Sequence, residues 1–189
     1  MIDWGIDPNE QVYSYKRGSF RTPLQQACWL RSIELVRVLI DGGAKVNLSA
    51  RKTEAGSALM NALYSSDRKG NPMRYADPEL VRILLHAGAI VNPGFGESPL
   101  AEAAKSGHVE AVDLLVSAGA DVHFTDDFGS TPLANAVDLE RNIPDRDVIS
   151  VARILLQAGA YLHAKFTDGS GEFVIVLQSA IYRNNMELI

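Results

Sequence analysis

Four Leu-x-x-Ala openings, each followed downstream by a Gly-Ala closing, constrain this chain more than any other feature. The openings are Leu24/Ala27, Leu59/Ala62, Leu100/Ala103 and Leu133/Ala136; the closings are Gly43-Ala44, Gly88-Ala89, Gly119-Ala120 and Gly159-Ala160. The clearest copy runs from Gly96 to Val122. Ser98 precedes Pro99, so a side-chain oxygen caps the first amides while proline takes the first helical position, where its missing N–H costs nothing. Leu100, Ala103 and Ala104 make a helical stripe, and the alanines let a second helix approach closely. Gly107 ends this short helix. A second helix is expected from about Val109 to Ala118, ended by Gly119. Its apolar positions Val109, Ala111, Val112, Leu114, Leu115 and Val116 form a stripe too wide for one packed face. Two such short helices are marginal alone, so the unit needs stacked copies.

The residues and their spacing in this copy resemble one ankyrin repeat, and the resemblance covers nearly the whole chain. It implies an all-α fold, a solenoid of helix-turn-helix units joined by β-turn or hairpin fingers. On that resemblance residues 1–189 read as one domain. Residues 1–21 form a partial N-terminal repeat or cap, 22–53 the first repeat, 54–94 the second, 95–125 the third, 126–166 the fourth and 167–189 a partial C-terminal repeat. The first assignment rests on the likeness of Ile2–Asn9 to Ile40–Asn47. The first repeat opens at Thr22-Pro23, and its second helix is expected from about Ile33 to Asp41. The second repeat opens at Ser57-Ala58, with alanine where proline is usual. The second helix of the fourth is expected over about Val148 to Ala158. Leu59 to Ala89 spans ten positions more than Leu24 to Ala44, which places a polar insertion around residues 66–75. A second insertion falls at 140–147. In the last repeat Asp168-Gly169-Ser170-Gly171 signals a turn, and Asn185–Ile189 matches the start of a second helix, Ser32–Val36. Either a longer natural chain or an abbreviated cap explains that ending, and the physics of solenoid ends favours the longer chain.

Charge and composition narrow the function. The 189 residues carry a net charge of −5, which argues against general attraction to nucleic acid or anionic membrane. No apolar run approaches a membrane span. The first residues, with Asp3 and Trp4, do not resemble a signal peptide, and the one cysteine, Cys28, forms no internal disulfide. A cytoplasmic setting is the default, and an exported mature form would look the same. Cys28 falls at a core position of the first helix, so a buried thiol outweighs a nucleophile. His108 is a structural position of the family, and His123 and His163 stand one repeat apart rather than in a metal cluster. No nucleophile elbow or phosphate loop is present. The chain is therefore expected to be no enzyme, with no cofactor and no metal, and to be monomeric without its partner.

What the resemblance implies is a concave face of fingers and first helices that binds another protein. Mapped by register, the first-helix ends supply Trp29 and Leu30, Tyr64 and Ser65, Lys105 and Ser106, Asp138 and Leu139, and Tyr182 and Arg183. The finger tips supply Arg21, Phe95, Glu97, Asp127, Phe128 and Ser130. Trp29, Tyr64 and Tyr182 share one equivalent position, and large amphipathic rings anchor interfaces well. The alternative is that each ring packs on its neighbour. Two roles suit such a chain: an inhibitor or immunity-type protein that masks a partner's active site, or a recruiting arm of a larger bacterial effector or viral ankyrin protein.

Overall fold

A computed structural model describes residues 7–14, 19–48, 56–64, 76–94, 98–126, 129–137, 145–162, 165–167 and 173–175. They fall into two compact units, Met1–Ile90 and Val91–Ile189. In the first, strands β1 (Val12–Ser14) and β2 (Ser19–Arg21) pair antiparallel, with Val12 opposite Arg21. Four helices follow: α1 (Pro23–Trp29), α2 (Ile33–Asp41), α3 (Ala58–Leu63) and α4 (Pro78–His86). Helix α1 packs on α2 and α3 on α4, while α1 also lies against α3 and α2 against α4. The unit is thus two layers, first helices in one and second helices in the other.

The second unit repeats the plan with α5 (Pro99–Lys105), α6 (Val109–Ser117), α7 (Pro132–Val137) and α8 (Asp145–Gln157). Here α5 packs on α6 and α7, and α8 packs on α6 and α7. Strands β3 (Lys165–Thr167) and β4 (Phe173–Ile175) form a closing hairpin with Lys165 opposite Ile175. Among the described residues these hairpins are the only paired strands, so the fold is all-α. Helix α8 begins three residues before the expected Val148, at Asp145. Asp147 there puts negative charge in the first turn, where the helix dipole favours it.

Helices α1, α3, α5 and α7 each start on a hydroxyl cap. Thr22 Oγ1 accepts from the Gln25 N–H at 3.1 Å, Ser57 Oγ from Met60 at 3.2 Å, Ser98 Oγ from Ala101 at 3.1 Å and Thr131 Oγ1 from Ala134 at 3.2 Å. The opening leucines Leu24, Leu59, Leu100 and Leu133 are each 1% exposed, and Ala27, Ala62, Ala103 and Ala136 are buried beside them. This explains the recurrence: leucine fills the space between layers, and alanine sets how closely the helices approach.

The turn between first and second helix needs a left-handed residue. Gly107 supplies it at φ 69° in the third helix pair; its N–H donates to Ala104 O at 3.1 Å, and the next N–H, of His108, donates to Ala103 O at 2.9 Å. The same place after α1 is held by Arg31 at φ 55°, with Arg31 N–H donating to Cys28 O and Ser32 N–H to Ala27 O. A non-glycine residue in this region costs about 1–2 kcal/mol. Arg31 is the only described non-glycine residue with positive φ.

Successive repeats are also joined by an asparagine clasp. Asn47 Nδ2 donates to Gly88 O at 2.8 Å, and Ile90 N–H donates back to Asn47 Oδ1 at 2.8 Å. Asn92 does the same with Gly119 O and Asp121 N–H, both at 2.9 Å. Asn9 does so with Gly43 O at 3.4 Å and Lys45 N–H at 2.7 Å. Each asparagine satisfies a carbonyl at a helix end and the amide two residues on. At the next step the equivalent residue is His123, and its ring stacks on Tyr161 with centroids 4.2 Å apart. Asn47→Ala and Asn92→Ala should each lower stability by about 1–2 kcal/mol through two lost bonds to main chain, checked by urea denaturation. His123→Ala, which removes no such pair, should cost less.

Candidate functional site

In the first unit the expected contact residues gather where the first-helix layer ends. Trp29 is the last residue of α1 and is half-buried, with the Arg21 guanidinium 5.4 Å from its ring centroid. Arg21 at the end of β2 is thus brought over the far end of α1, where a cation–π contact holds both side chains. Leu30, the α1 cap, is 45% exposed. Tyr64 caps α3 and is 49% exposed. The two aromatics expected at one equivalent position therefore differ: Tyr64 is half exposed, while Trp29 is more buried and lies beside Arg21. Phe20 on β2, 42% exposed, adds an apolar side chain that register matching had not singled out.

In the second unit Lys105 and Ser106 close α5, both half-buried. Ser106 Oγ donates to Glu102 Oε1 at 3.4 Å. Ser130 is 7% exposed and serves its own turn: its N–H donates to Asp126 Oδ1 at 2.8 Å, and its carbonyl accepts from Asp126 N–H at 3.2 Å. Ser65, Phe95, Glu97, Asp127, Phe128, Asp138, Leu139, Tyr182 and Arg183 lie outside the described residues, as do both interhelix insertions, apart from the start of α8 within the second.

Arg31 is a residue that register reading passed over. It follows Leu30 directly, and burial pulls its basicity below the ordinary guanidinium range, opposed by the Asp77 carboxylate. Its Nε and Nη2 are shielded from solvent and find no hydrogen-bond partner among the described residues. The signal was present in the register, since Arg31 stands where Gly107 stands.

Among the described residues, Cys28 and His108 occupy core positions. Cys28 is fully buried, and that burial pushes its thiol up to about 12, against a smaller opposing effect of a backbone hydrogen bond. At neutral pH it is a protonated core residue. His108 is 3% exposed and caps α6, its N–H donating to Ala103 O and its carbonyl accepting from Val112 N–H, both at 2.9 Å. Among the described residues no group of three or more His, Cys, Asp or Glu is placed to hold a metal ion. No described helix is long and apolar enough to cross a membrane. An open depression of about 410 Å³ lies on the second-helix layer between α2 and α4. Its rim is spanned by Arg37–Glu79 at 2.8 Å and Arg82–Glu79 at 3.5 Å, exposed pairs that contribute little to stability.

Comparison with known proteins agrees with this geometry. Residues 73–166 match the family model described as ankyrin repeats (3 copies), and residues 20–51 match the model described as ankyrin repeat. Together the matches cover about two thirds of the chain. A putative ankyrin repeat protein of fowlpox virus is 29% identical over 160 residues, 83% of this chain and 42% of that protein. Human protein phosphatase 1 regulatory subunit 27 is 41% identical over 81 residues, 43% of this chain and 47% of that protein. The potassium channel AKT2/3 of Arabidopsis thaliana is 32% identical over 117 residues, 62% of this chain and 13% of the channel. The chain spans less than half the length of each of these relatives.

Proposed function

The chain belongs to the ankyrin repeat family, whose repeats generally mediate protein–protein interaction, and from that premise we propose that it binds a protein partner through the exposed ends of its first helices. The observation that carries this reading is the exposure of Leu30 and Tyr64 at the ends of the adjacent helices α1 and α3, with Trp29 beside them. Large apolar side chains left at one edge of a packed layer are where an interface gains most from desolvation. Arg21 extends the same surface. The clasp at Asn9, identical in pattern to those at Asn47 and Asn92, supports reading the first residues as the tail of a preceding repeat.

Within this reading the chain acts by masking an enzyme. Support comes from its likeness to a regulatory subunit of protein phosphatase 1. The second reading is a recruiting arm of a larger protein, favoured by the relatives, which all extend well beyond the matched region. Co-elution with an enzyme whose activity is undiminished would exclude masking in favour of recruitment.

The binding face itself is tested by affinity capture from the native host, quantified by mass spectrometry, with wild type against Trp29→Ala/Tyr64→Ala. The double variant should capture the wild-type partner at least about tenfold more weakly, as for the loss of two aromatic anchors. Its helical circular dichroism should be unchanged. Equal capture by both proteins would show that the first-helix ends are not the contact. Loss of the helical signal would instead make the rings core residues.

A further inference from the structure

We propose that the face of α2 turned away from α4 is a second docking surface, and that it takes an amphipathic helix of a protein partner. That helix carries an arginine and, three residues on, an aliphatic side chain. The inference goes beyond the binding face at the first-helix ends and shares none of its residues.

The other second helices show what this face is built for. Counted back from the closing alanines Ala44, Ala89 and Ala160, Leu35 and Leu39 of α2 are equivalent to Leu80 and Leu84 of α4 and to Val151 and Leu155 of α8. Leu80 and Leu84 are fully buried where α2 packs on α4, and Val151 and Leu155 where α6 packs on α8. Leu35 is instead 42% exposed, Val38 beside it is 66% exposed, and Leu39 is half-buried. The side chains are those of a covered helix, and in both other cases the cover is a second helix. The turn that follows α2 is already engaged, since Asn9 bonds to Gly43 O and Lys45 N–H as Asn47 bonds to Gly88 O and Ile90 N–H. The helix face beside that clasp is what stays open.

Charge says which helix fits. The equivalent of Glu34 in α4 is Glu79, and Glu79 Oε1 accepts from Nη2 of Arg37, on the covering helix α2, at 2.8 Å. Glu34 is exposed, and among the described residues its carboxylate has no ion pair or hydrogen bond. Ile40, three residues after Arg37, borders the same α2–α4 contact with Ile83, the equivalent of Val38. A helix carrying arginine and an aliphatic residue at that spacing would meet Glu34 and Val38 as α2 meets Glu79 and Ile83. Covering the apolar side chains supplies the affinity, as for helices docked in apolar grooves, while the exposed ion pair sets direction.

The test is a nuclear magnetic resonance titration of the full chain with a lactam-locked helical peptide of the α2 sequence, Ile33–Asp41, the helix that covers the equivalent face of α4. The lock is needed because nine residues make a marginal helix alone. Methyl signals of Leu35, Val38 and Leu39 should shift and saturate. Val38→Glu in the protein should weaken the peptide at least about tenfold with the thermal midpoint kept, since Val38 is exposed. Glu34→Arg should weaken it about fivefold, and an Arg37→Glu peptide should restore binding to that variant. Unmoved Val38 methyls would overturn the docking surface, and Glu34→Arg without effect would overturn the arginine assignment. A concentration-dependent dimer of the free protein, abolished by Val38→Glu in sedimentation, would give the face to a second copy. A nuclear Overhauser contact between Trp4 and Val38 would give it to the chain's own first residues. Either result overturns a separate partner helix. These variants leave Trp29 and Tyr64 in place, so capture through the first-helix ends stands or falls separately.

Discussion

Leu115→Ala should destabilise the protein by about 2–5 kcal/mol, the range for a leucine truncated in a packed interior. Leu115 is 0% exposed on α6, which packs on α5 and on α8, so the cavity opens among three helices rather than at a surface. A packed interior relaxes only partially around such a space, so a cavity term adds to the lost transfer energy. Val38→Ala supplies the contrast. Val38 is 66% exposed on α2, and its truncation should change stability by less than about 1 kcal/mol. Urea denaturation of both variants checks the pair. Equal midpoints would mean that the second-helix layer does not carry the packing energy assigned to it here.

The reason Leu115 was readable in advance is the local character of its signals. The wide stripe from Val109 to Val116 reflects a helix covered on more than one side, and α6 runs from Val109 to Ser117. Helix α2 occupies the expected span, Ile33–Asp41, because the apolar run begins and ends there and Gly43 at φ 89° follows it. The buried thiol of Cys28 and the structural place of His108 were equally legible, since each lies at a fixed step from an opening leucine. What stayed hidden depends on contacts between repeats. Asn9, Asn47 and Asn92 stand at equal distances after their repeats' closing turns, but their bonds reach the following repeat, which periodicity within one repeat does not describe. The difference between Trp29 and Tyr64 is of the same kind. Register makes them equivalent, and only the approach of Arg21 from β2 separates them. The hairpin of Val12–Ser14 with Ser19–Arg21 falls where the repeat pattern is longest and least regular, so register offered no guide to it.

Gln25→Ala should cost about 2–4 kcal/mol, well above what one polar residue on a seven-residue helix would suggest. Gln25 is 1% exposed and has three partners. Its Oε1 accepts from the Thr22 N–H at 2.8 Å, completing a reciprocal cap with Thr22 Oγ1. Its Nε2 donates to Leu48 O at 3.0 Å and to Gly56 O at 3.3 Å. Leu48 and Gly56 are the two shoulders of the connection between the first and second helix pairs, so one buried amide ties both to α1. Alanine would leave the Thr22 amide and the Leu48 carbonyl without these bonds, whereas Gly56 O keeps a donor in Asn61 Nδ2 at 2.7 Å. The family pattern Thr-Pro-Leu-His-x-Ala has histidine at this place. Gln25→His should therefore recover most of the loss, since an imidazole N–H reaches a carbonyl from the same helix position. Gln25→Glu should not, because a carboxylate directs lone pairs at two carbonyl oxygens. Thermal unfolding of the three variants, with the order His above Ala and Glu, checks the assignment, and equal midpoints for alanine and wild type would remove Gln25 from it. The consequence for binding follows from the same bonds. The shoulders that Gln25 and Asn61 hold fix where α3 begins, and α3 ends at Tyr64. A variant that frees them should weaken partner capture even though Gln25 itself is buried away from any partner.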